Sequence, residues 1–203
     1  MLAFSYFNIE AEASEDRHIV FIDPGHGGLD GGCSHKELVE KDINLKIALN
    51  LKSILEEYGY TVMMSRSADV HLCVDKFSKK EDLLTRIKMI NESNADLFIS
   101  IHTNSFVKEK YYGAQVFYNG INSNNLLIAS KIQSYLSTFT KTNRIQKNLD
   151  NIMILKNVNK TGCMIETGFI SNPDEYELFK NEEYLVKMAN TIFYGIEEYF
   201  SVV

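Results

Sequence analysis

The 203-residue chain is long enough to bury one core but short for two, so we expect a single domain. Its apolar fraction of 45% and charged fraction of 24% exclude a disordered or collagen-like chain. The net charge is −6, and Lys and Arg form no cluster beyond short pairs such as Lys79-Lys80, which excludes the basic surface of a nucleic-acid-binding protein. We therefore expect no nucleic acid among its partners.

Residues 1–16 are interpreted as an N-terminal segment that precedes a single domain at residues 17–203. The apolar stretch from Met1 to Ile9 is far shorter than the roughly 20 residues that span a bilayer. It runs into Ala11-Glu12-Ala13, which resembles the cleavage pattern of an export signal, although no basic region precedes it. We expect the remnant of an export signal or of a membrane anchor that begins upstream, and an exported, extracytoplasmic protein. A frayed terminus is the alternative.

From residue 18 onward, short β-branched or aromatic runs alternate with longer segments of helical period, a pattern that predicts an α/β fold. We expect a mostly parallel or mixed central sheet of about six strands with helices on both faces. The predicted strands are His18–Asp23, Tyr60–Ser65, Leu97–Ile101, Gly113–Tyr118, Ile152–Leu155 and Cys163–Ile165.

Apolar residues that recur at helical spacing predict the helices between these strands. The predicted helices are Asp42–Tyr58, Glu81–Asn94, Asn122–Thr140 and Glu183–Phe200. The run Asn172-Pro173-Asp174-Glu175 predicts one more helix start, with Asn172 as the N-cap and proline at the first helical position. Residues 66–80 and 141–151 are expected to be loops.

Polar side chains just past the carboxyl ends of strands are the first candidates for a site, because ligands of open α/β sheets gather at that edge. Three of them, His26, His102 and Glu166, each follow a predicted strand. Glu40 lies just before the first predicted helix, which begins at the same edge. The sequence therefore predicts that these four side chains converge.

Two histidines and one carboxylate are a common set of three protein ligands for a catalytic zinc ion, whose fourth position stays open for water or substrate. We predict that His26, Glu40 and His102 bind Zn2+. A histidine beside a strand can also be a hydrogen-bonded structural residue, and the shared placement of these two favours metal binding. The other histidines have no convergent partner and are expected to be structural or solvent-facing: His18, His35 and His71.

The glycine-rich loop of residues 25–32 surrounds His26 and permits tight turns and a close approach of the backbone. A phosphate cradle is the alternative interpretation of such a loop. The segment has no GK[ST] ending, the GxGxxG spacing breaks at Asp30, and the neighbouring charges are acidic. The loop therefore favours a role in placing His26.

Glu166 is the candidate acid/base. It follows the apolar run Cys163-Met164-Ile165 and precedes Thr167-Gly168, so we expect its carboxylate to emerge from a partly buried strand. Such surroundings raise the pKa of a carboxyl group toward the range of a general base. The alternative is that Glu166 caps a backbone loop.

Four ordered motifs resemble the zinc N-acetylmuramoyl-L-alanine amidases of the amidase-3 type. They span residues 18–200 and are Ile22-Asp23-Pro24-Gly25-His26-Gly27-Gly28, Glu40-Lys41-Asp42, Phe98-Ile99-Ser100-Ile101-His102-Thr103-Asn104 and Ile165-Glu166-Thr167-Gly168-Phe169-Ile170-Ser171-Asn172. The resemblance implies that His26, Glu40 and His102 hold zinc. It also implies that Glu166 is the catalytic glutamate and that residues 17–203 are a catalytic amidase domain.

The substrate that the resemblance implies is peptidoglycan, cleaved at the amide between N-acetylmuramic acid and the L-alanine of the stem peptide. Within the family, Glu81–Asn91 and Gly113–Tyr118 resemble the germination-specific amidases of the spore cortex. The implied role is removal of stem peptides so that muramic-δ-lactam can be made in the cortex. The expected place of action is between the forespore membranes or at the cell wall.

Two positions depart from the family pattern, and neither removes a ligand. Thr161 stands where proline is usual, and Ser105 stands where alanine usually ends a His-x-Asn-Ala motif. Residues 103–165, which separate His102 from Glu166, are too few for the long autoinhibitory helical insert of some relatives. We therefore expect control from outside the chain, for example by an activating partner protein.

Two other functions are compatible with the same residues. A zinc peptidase that acts on peptide carboxy-termini would have a similar fold and similar ligands. A catalytically silent module that binds the cell wall would keep the pocket without turnover. The intact ligand set and Glu166 favour the amidase.

Overall fold

The computed structural model describes residues 18–203. Residues 1–17, and with them the predicted export or anchor segment, lie outside the described residues. Within the described range, no helix combines the length and the apolar character needed to cross a membrane.

The described chain alternates strands and helices, as the sequence predicts. In chain order the strands are Ile19–Pro24 (β1), Ser34–His35 (β2), Leu38–Val39 (β3), Thr61–Met64 (β4), Leu97–Asn104 (β5), Gln115–Tyr118 (β6), Lys147–Asn148 (β7) and Gly162–Phe169 (β8). The helices are Glu40–Glu57 (α1), Lys79–Glu92 (α2), Ser123–Phe139 (α3), Met153–Asn157 (α4), Pro173–Phe179 (α5) and Glu182–Phe200 (α6).

Six of the strands form one mixed sheet in the order β4-β1-β5-β8-β6-β7. The pairs from β4 to β8 are parallel, β6 runs antiparallel to β8, and β7 runs parallel to β6. The remaining two strands, β2 and β3, form a small antiparallel hairpin before α1. The predicted α/β class and the mixed sheet of about six strands are confirmed.

Side chains of the sheet alternate between two faces, because successive residues of a strand point in opposite directions. One face packs against α1, α3 and α6 through residues such as Ile22, Ile99 and Ile165. The other packs against α2 and α4 through Phe21 and Phe98, among others, and its apolar cluster is smaller. Helices therefore cover both faces, as expected.

Helix starts follow the local chemistry of the sequence. Asn172 caps α5 as predicted: its side-chain oxygen accepts from the backbone N–H groups of Asp174 and Glu175 at 3.1 Å each. The first helix, α1, begins two residues earlier than predicted, at Glu40. Glu40 is therefore the first residue of the helix, and the helix fixes its backbone.

The predicted strand Ile152–Leu155 is wrong, because these residues lie almost entirely in helix α4. A short apolar run fits a buried helix turn as well as a strand, and Ile154 and Leu155 bury their side chains in the same cluster as α2. The sixth strand of the sheet is β7 instead. It lies within residues 141–151, which were expected to be a loop.

Candidate active site

His102 and Glu166 lie side by side near the carboxyl ends of β5 and β8. They are Cα partners in the parallel register, and Glu166 is in turn the partner of Gln115 in β6. Partners in register point to the same face of a sheet, here the face that carries α2 and α4. The sequence placed both residues just past their strands, whereas they lie inside strands that extend further than predicted.

His26 projects from the glycine-rich loop that follows β1. Its φ of +63° is in the left-handed region, which costs a non-glycine residue roughly 1–2 kcal/mol. Backbone bonds close the loop, with Gly27 N donating to Asp30 O at 2.8 Å and Asp30 N donating to Gly27 O at 3.1 Å. Arg86 Nη2 donates to His26 O at 2.6 Å. The surrounding structure therefore holds His26 in its strained conformation.

The three predicted ligands converge. Glu40 Oε1 lies 3.2 Å from His26 Nε2 and 2.9 Å from His102 Nδ1. One ligand atom from each residue lies within 4.8 Å of the other two. Two imidazole nitrogens and a carboxylate oxygen are donors that zinc accepts, and three protein ligands leave a fourth position open. The residues present therefore fit a catalytic zinc ion.

Glu40 is held by more than the two histidines. Its Oε2 accepts from Cys33 N at 2.9 Å, and its Oε1 accepts from Thr103 N and Asn44 Nδ2 at 3.3 Å each. Burial alone would raise the pKa of Glu40, but hydrogen bonds and charge from His102 and His26 outweigh it and hold that pKa far below its usual range. The carboxylate is therefore fixed and ionised.

Two glycines make room for these predicted ligands. A Cβ on Gly25 would lie 2.2 Å from His102 Cε1, and a Cβ on Gly32 would lie 2.5 Å from Glu40 Oε2. Atoms cannot approach that closely, so a side chain at either position would displace a ligand. Packing against the ligand side chains accounts for these glycines without a bound phosphate.

Asp30 supports His26, and the sequence did not single it out. His26 Nδ1 lies 2.7 Å from Asp30 Oδ2, and Lys79 Nζ donates to Asp30 Oδ1 at 2.7 Å. Burial would raise the pKa of Asp30, but its hydrogen bonds to Lys79 and His26 lower that pKa to about 2. An ionised carboxylate only accepts, so His26 Nδ1 is the donor in this contact, and Nε2 faces the other predicted ligands. The sequence contained one signal for this role, because Asp30 is an acid that lies four residues after the candidate ligand His26.

A buried polar network lies beneath the ligands. Asp23 Oδ1 accepts from Ser65 Oγ at 2.6 Å and from Arg86 Nη1 at 2.8 Å, while Oδ2 accepts from Ser100 Oγ at 2.8 Å. Burial would raise the pKa of Asp23, yet the charge of Arg86 and the hydroxyl bonds keep it below the usual value. Arg86 also donates to Pro24 O at 2.7 Å, so the network fixes the backbone that leads into His26.

Glu166 has the environment of a proton acceptor. Its Oε2 is buried and has no hydrogen-bond partner among the described residues. Burial raises the pKa of Glu166, the charge of Glu40 raises it further, His102 opposes both, and the result is about 7. A carboxyl group with that pKa exchanges a proton near neutral pH. Within the described part of the chain, Glu166 accepts no hydrogen bond from a backbone N–H, which sets that alternative aside.

The other histidines do not join the group. His18 stacks on Phe200 with ring centroids 4.0 Å apart, and the ring of His35 meets Tyr176 edge to face at 5.6 Å. The ring of His71 lies 5.3 Å from that of Phe77. Among residues 18–203, the only group of three or more histidine, cysteine or acidic side chains that could hold a metal is His26, Glu40 and His102.

A cleft between the sheet and helices α2 and α4 leads to this group. Its lining includes His26, His102, Asp30, Lys79, Leu83 and Ile154. The cleft opens on the face of the sheet with the smaller apolar cluster. A substrate can therefore reach the ligands from that face.

Comparison with known families decides between the enzyme classes that such a site could serve. The amidase-3 family of N-acetylmuramoyl-L-alanine amidases matches residues 20–198, which include all four converging residues. The chain belongs to this family. Membership places it with the amidases rather than with the carboxypeptidases that were the first alternative.

Individual amidases are similar over nearly the whole chain. The germination-specific N-acetylmuramoyl-L-alanine amidase of Bacillus subtilis (strain 168) is 41% identical over 189 residues, which cover 90% of this chain and 80% of that protein. The CwlD amidase of Clostridioides difficile, solved in complex with the GerS lipoprotein, has a TM-score of 0.88 and 38% identity, covering 92% of this chain and 100% of that one. Amidase AmiC2 of Nostoc punctiforme has a TM-score of 0.79 and 27% identity over 91% of this chain and 97% of that one.

Proposed function

We propose that this amidase is zinc-dependent and hydrolyses the amide between N-acetylmuramic acid and L-alanine in peptidoglycan, with the spore cortex as its substrate. The observation that carries the proposal is the convergence of His26, Glu40 and His102 beside Glu166, whose buried Oε2 has no partner among the described residues. Similarity to a germination-specific amidase supports the cortex as the substrate. Removal of stem peptides there would allow muramic-δ-lactam formation. This substrate implies an extracytoplasmic site of action.

A bound zinc ion would polarise the scissile carbonyl and acidify a water molecule. His26 would bind the ion through Nε2, because its Nδ1 donates to Asp30, and His102 would bind it through a ring nitrogen. Glu166, whose pKa is raised by burial to about 7, accepts the proton of the attacking water. It then donates that proton to the nitrogen of L-alanine, which leaves as an amine.

We propose further that a partner protein activates the enzyme. The CwlD amidase of Clostridioides difficile was solved with a lipoprotein bound. In this chain, the segment between His102 and Glu166 comprises the end of β5, then β6, α3, β7, α4 and the start of β8, with their connections. The segment contains no long helical insert that could cover the site, so regulation by another molecule is the available route.

The test is digestion of cortex peptidoglycan by the full chain, with zinc content measured in the same preparation. We expect released peptides with an L-alanine amino terminus by mass spectrometry, loss of release after chelation, and recovery on adding zinc. Peptides shortened at the carboxy-terminus would instead support the peptidase. A zinc-loaded protein that binds peptidoglycan but releases nothing, with or without candidate partners, would support the silent wall-binding module.

A further inference from the structure

Arg144 lies in the connection between α3 and β7 and is held in one orientation by its neighbours. Its Nε donates to Tyr112 O at 3.0 Å, and its Nη1 donates to Gln115 Oε1 at 3.0 Å. The guanidinium also lies over the ring of Phe169, 4.9 Å from the centroid. These contacts position the charge without neutralising it, because a carbonyl, an amide and an aromatic ring carry no net charge.

Within residues 18–203, no carboxylate forms an ion pair with Arg144. Glu175 is the nearby acid, but its carboxylate is buried and already accepts from Gly113 N at 3.0 Å and from Phe169 N at 2.8 Å. Burial raises the pKa of Glu175, and these two bonds and the charge of Arg144 only partly oppose that rise. Arg86, in contrast, pairs with Asp23 and with its own helix neighbour Asp82. Arg144 is therefore a preorganised cation with donor capacity to spare.

The position of Arg144 relative to the reaction follows from the sheet register. Gln115, which holds Arg144, is the Cα partner of Glu166, and Glu166 is the partner of His102. Adjacent strands lie about 4.8 Å apart. Arg144 thus continues the line from His102 through Glu166 and Gln115, on the side of Glu166 that is remote from the metal ligands.

A second cation lies beside Arg144. Lys110 and Arg144 line one surface depression together with Tyr111, Tyr112 and Asn143. The Lys110 ammonium contacts the ring of Tyr111 at 5.8 Å from the centroid and has no carboxylate partner among the described residues. Two cations, two tyrosines and an amide without an acid form a surface that suits an anionic ligand.

We propose that Arg144, assisted by Lys110, binds a free carboxylate of the stem peptide on the leaving-group side of the scissile amide. This inference rests on the proposed function. Consecutive Cα atoms are 3.8 Å apart, so a carboxylate on the first or second residue after L-alanine lies roughly 4–8 Å from the alanine Cα. This distance is comparable with the spacing between the strands that carry Glu166 and Gln115, the residue that holds Arg144. The site thus selects peptides by a charge near the cleaved bond.

The test compares two muropeptides that differ in one group: the residue after L-alanine carries a free α-carboxylate in one and a carboxamide in the other. We expect the wild-type enzyme to prefer the acid in kcat/KM by about 10- to 100-fold, the worth of a charge-assisted hydrogen bond. Arg144→Gln is expected to lose this preference, Arg144→Lys to keep part of it, and Lys110→Gln to reduce it by less. Lys147→Gln is the charge-matched control, because Lys147 is exposed and lies three residues after Arg144, in β7. This variant should keep the wild-type preference.

A calorimetric titration with the released peptide, in acid and amide forms, separates binding from turnover. If the wild type shows no preference in either measurement, or Arg144→Gln keeps the preference, the inference is overturned while the amidase activity stands. The inference is also overturned if Arg144→Gln binds the released peptide as the wild type does and loses affinity only for an anionic polymer such as polyglycerol phosphate. If the zinc-loaded wild type cleaves neither muropeptide, with or without candidate partners, the proposed function fails, and the titration still decides whether Arg144 selects the carboxylate.

Discussion

The two faces of the central sheet use the same strands for different purposes. Toward α1, α3 and α6 the strand side chains are apolar as far as Ile101 and Ile165, and the buried hydroxyls of Thr103 and Thr167 follow at the carboxyl edge. Toward α2 and α4 the apolar residues end earlier in each strand. The polar pair Asp23 and Ser100 follows them, and the pair His102 and Glu166 comes next, closer to the carboxyl edge. Alternation along each strand thus supplies stability on one side and chemistry on the other.

This difference predicts how substitutions divide. Changes on the apolar face should lower the free energy of unfolding and leave zinc binding and turnover unchanged below the melting temperature. Changes at the polar pairs of the other face should lower turnover or zinc affinity. Changes to the buried ion pair of Asp23 and Arg86 should lower both stability and zinc affinity, because this pair supports the fold and also the His26 loop.

The largest expected effect is a loss of turnover from a substitution on the polar face that leaves stability unchanged. Glu166→Gln removes the proton acceptor without changing its size, and kcat should fall by about 10²- to 10⁴-fold. Zinc content and melting temperature should match the wild type, since Glu166 is not among the three converging ligands. Hydrolysis of glycan-linked stem peptides at the wild-type rate by the zinc-loaded variant would show that another group takes the proton.

The next effect tests the buried ion pair. Asp23→Asn leaves the charge of Arg86 in the interior with Asp82 as its remaining acid, and the free energy of unfolding at pH 7 should fall by about 3–5 kcal/mol. Because the folded pKa of Asp23 is lowered, its contribution is present above the unfolded value of 3.8 and is lost as pH falls through the folded pKa. The gap between wild type and variant in denaturant melts should therefore narrow in acid. A constant gap across this range would contradict the assignment.

Gly25→Ala tests the space beside His102. The new Cβ would lie 2.2 Å from the His102 ring, so the ring must move, and zinc affinity should fall by about 100-fold. Gly31→Ala in the same loop is the matched control, because its Cβ would meet only Val39 Cγ1, at 3.2 Å. Competition with a chelating dye measures both. Equal affinities in the two variants would mean that His102 does not need its present position.

A smaller loss of affinity is expected when the support of His26 is weakened. Asp30→Asn keeps the shape but not the charge that fixes the His26 proton, and zinc affinity should fall by about 10- to 100-fold. Lys79→Gln removes an exposed partner of Asp30 and should lower affinity by less. A Lys79 variant that loses more zinc than the Asp30 variant would reverse the proposed order of support.

The smallest effect sharpens the contrast from the apolar side. Ile99→Val removes one buried methylene between the sheet and its helices, and the free energy of unfolding should fall by about 0.5–1.5 kcal/mol. Zinc affinity and kcat at 25 °C should not change. A shift in either would show that packing on this face is coupled to the ligands across the sheet.

Much of the site could be predicted from the sequence, because strand-end placement brought His26, His102 and Glu166 together with Glu40. Their convergence is seen in the structure, whereas their roles as ligands and acid/base stay predictions. The polar network could not be predicted in the same way. Asp23 and Arg86 are 63 residues apart in the chain, and one polar residue in an apolar strand does not reveal its partner.

The errors have physical causes as well. The run from Ile152 to Leu155 is apolar and includes two β-branched isoleucines, and four residues are too few to distinguish a strand from a helix turn. Gln115 and Arg144 became candidates only through the register of β6 on β8, since a shift of one residue would turn Gln115 to the opposite face. Pairing register depends on distant contacts that local patterns do not contain.

The central place of β5 has a consequence for folding. Its pairings join Val20 to Leu97 and His102 to Glu166, so the ligands approach one another only after segments far apart in the chain have met. Such long-range topology slows folding, and in the unfolded chain the predicted ligands are far apart and bind a metal ion weakly. Zinc should therefore stabilise the assembled domain by mass action and contribute nothing to nucleation. Metal uptake during refolding would mark the final assembly step.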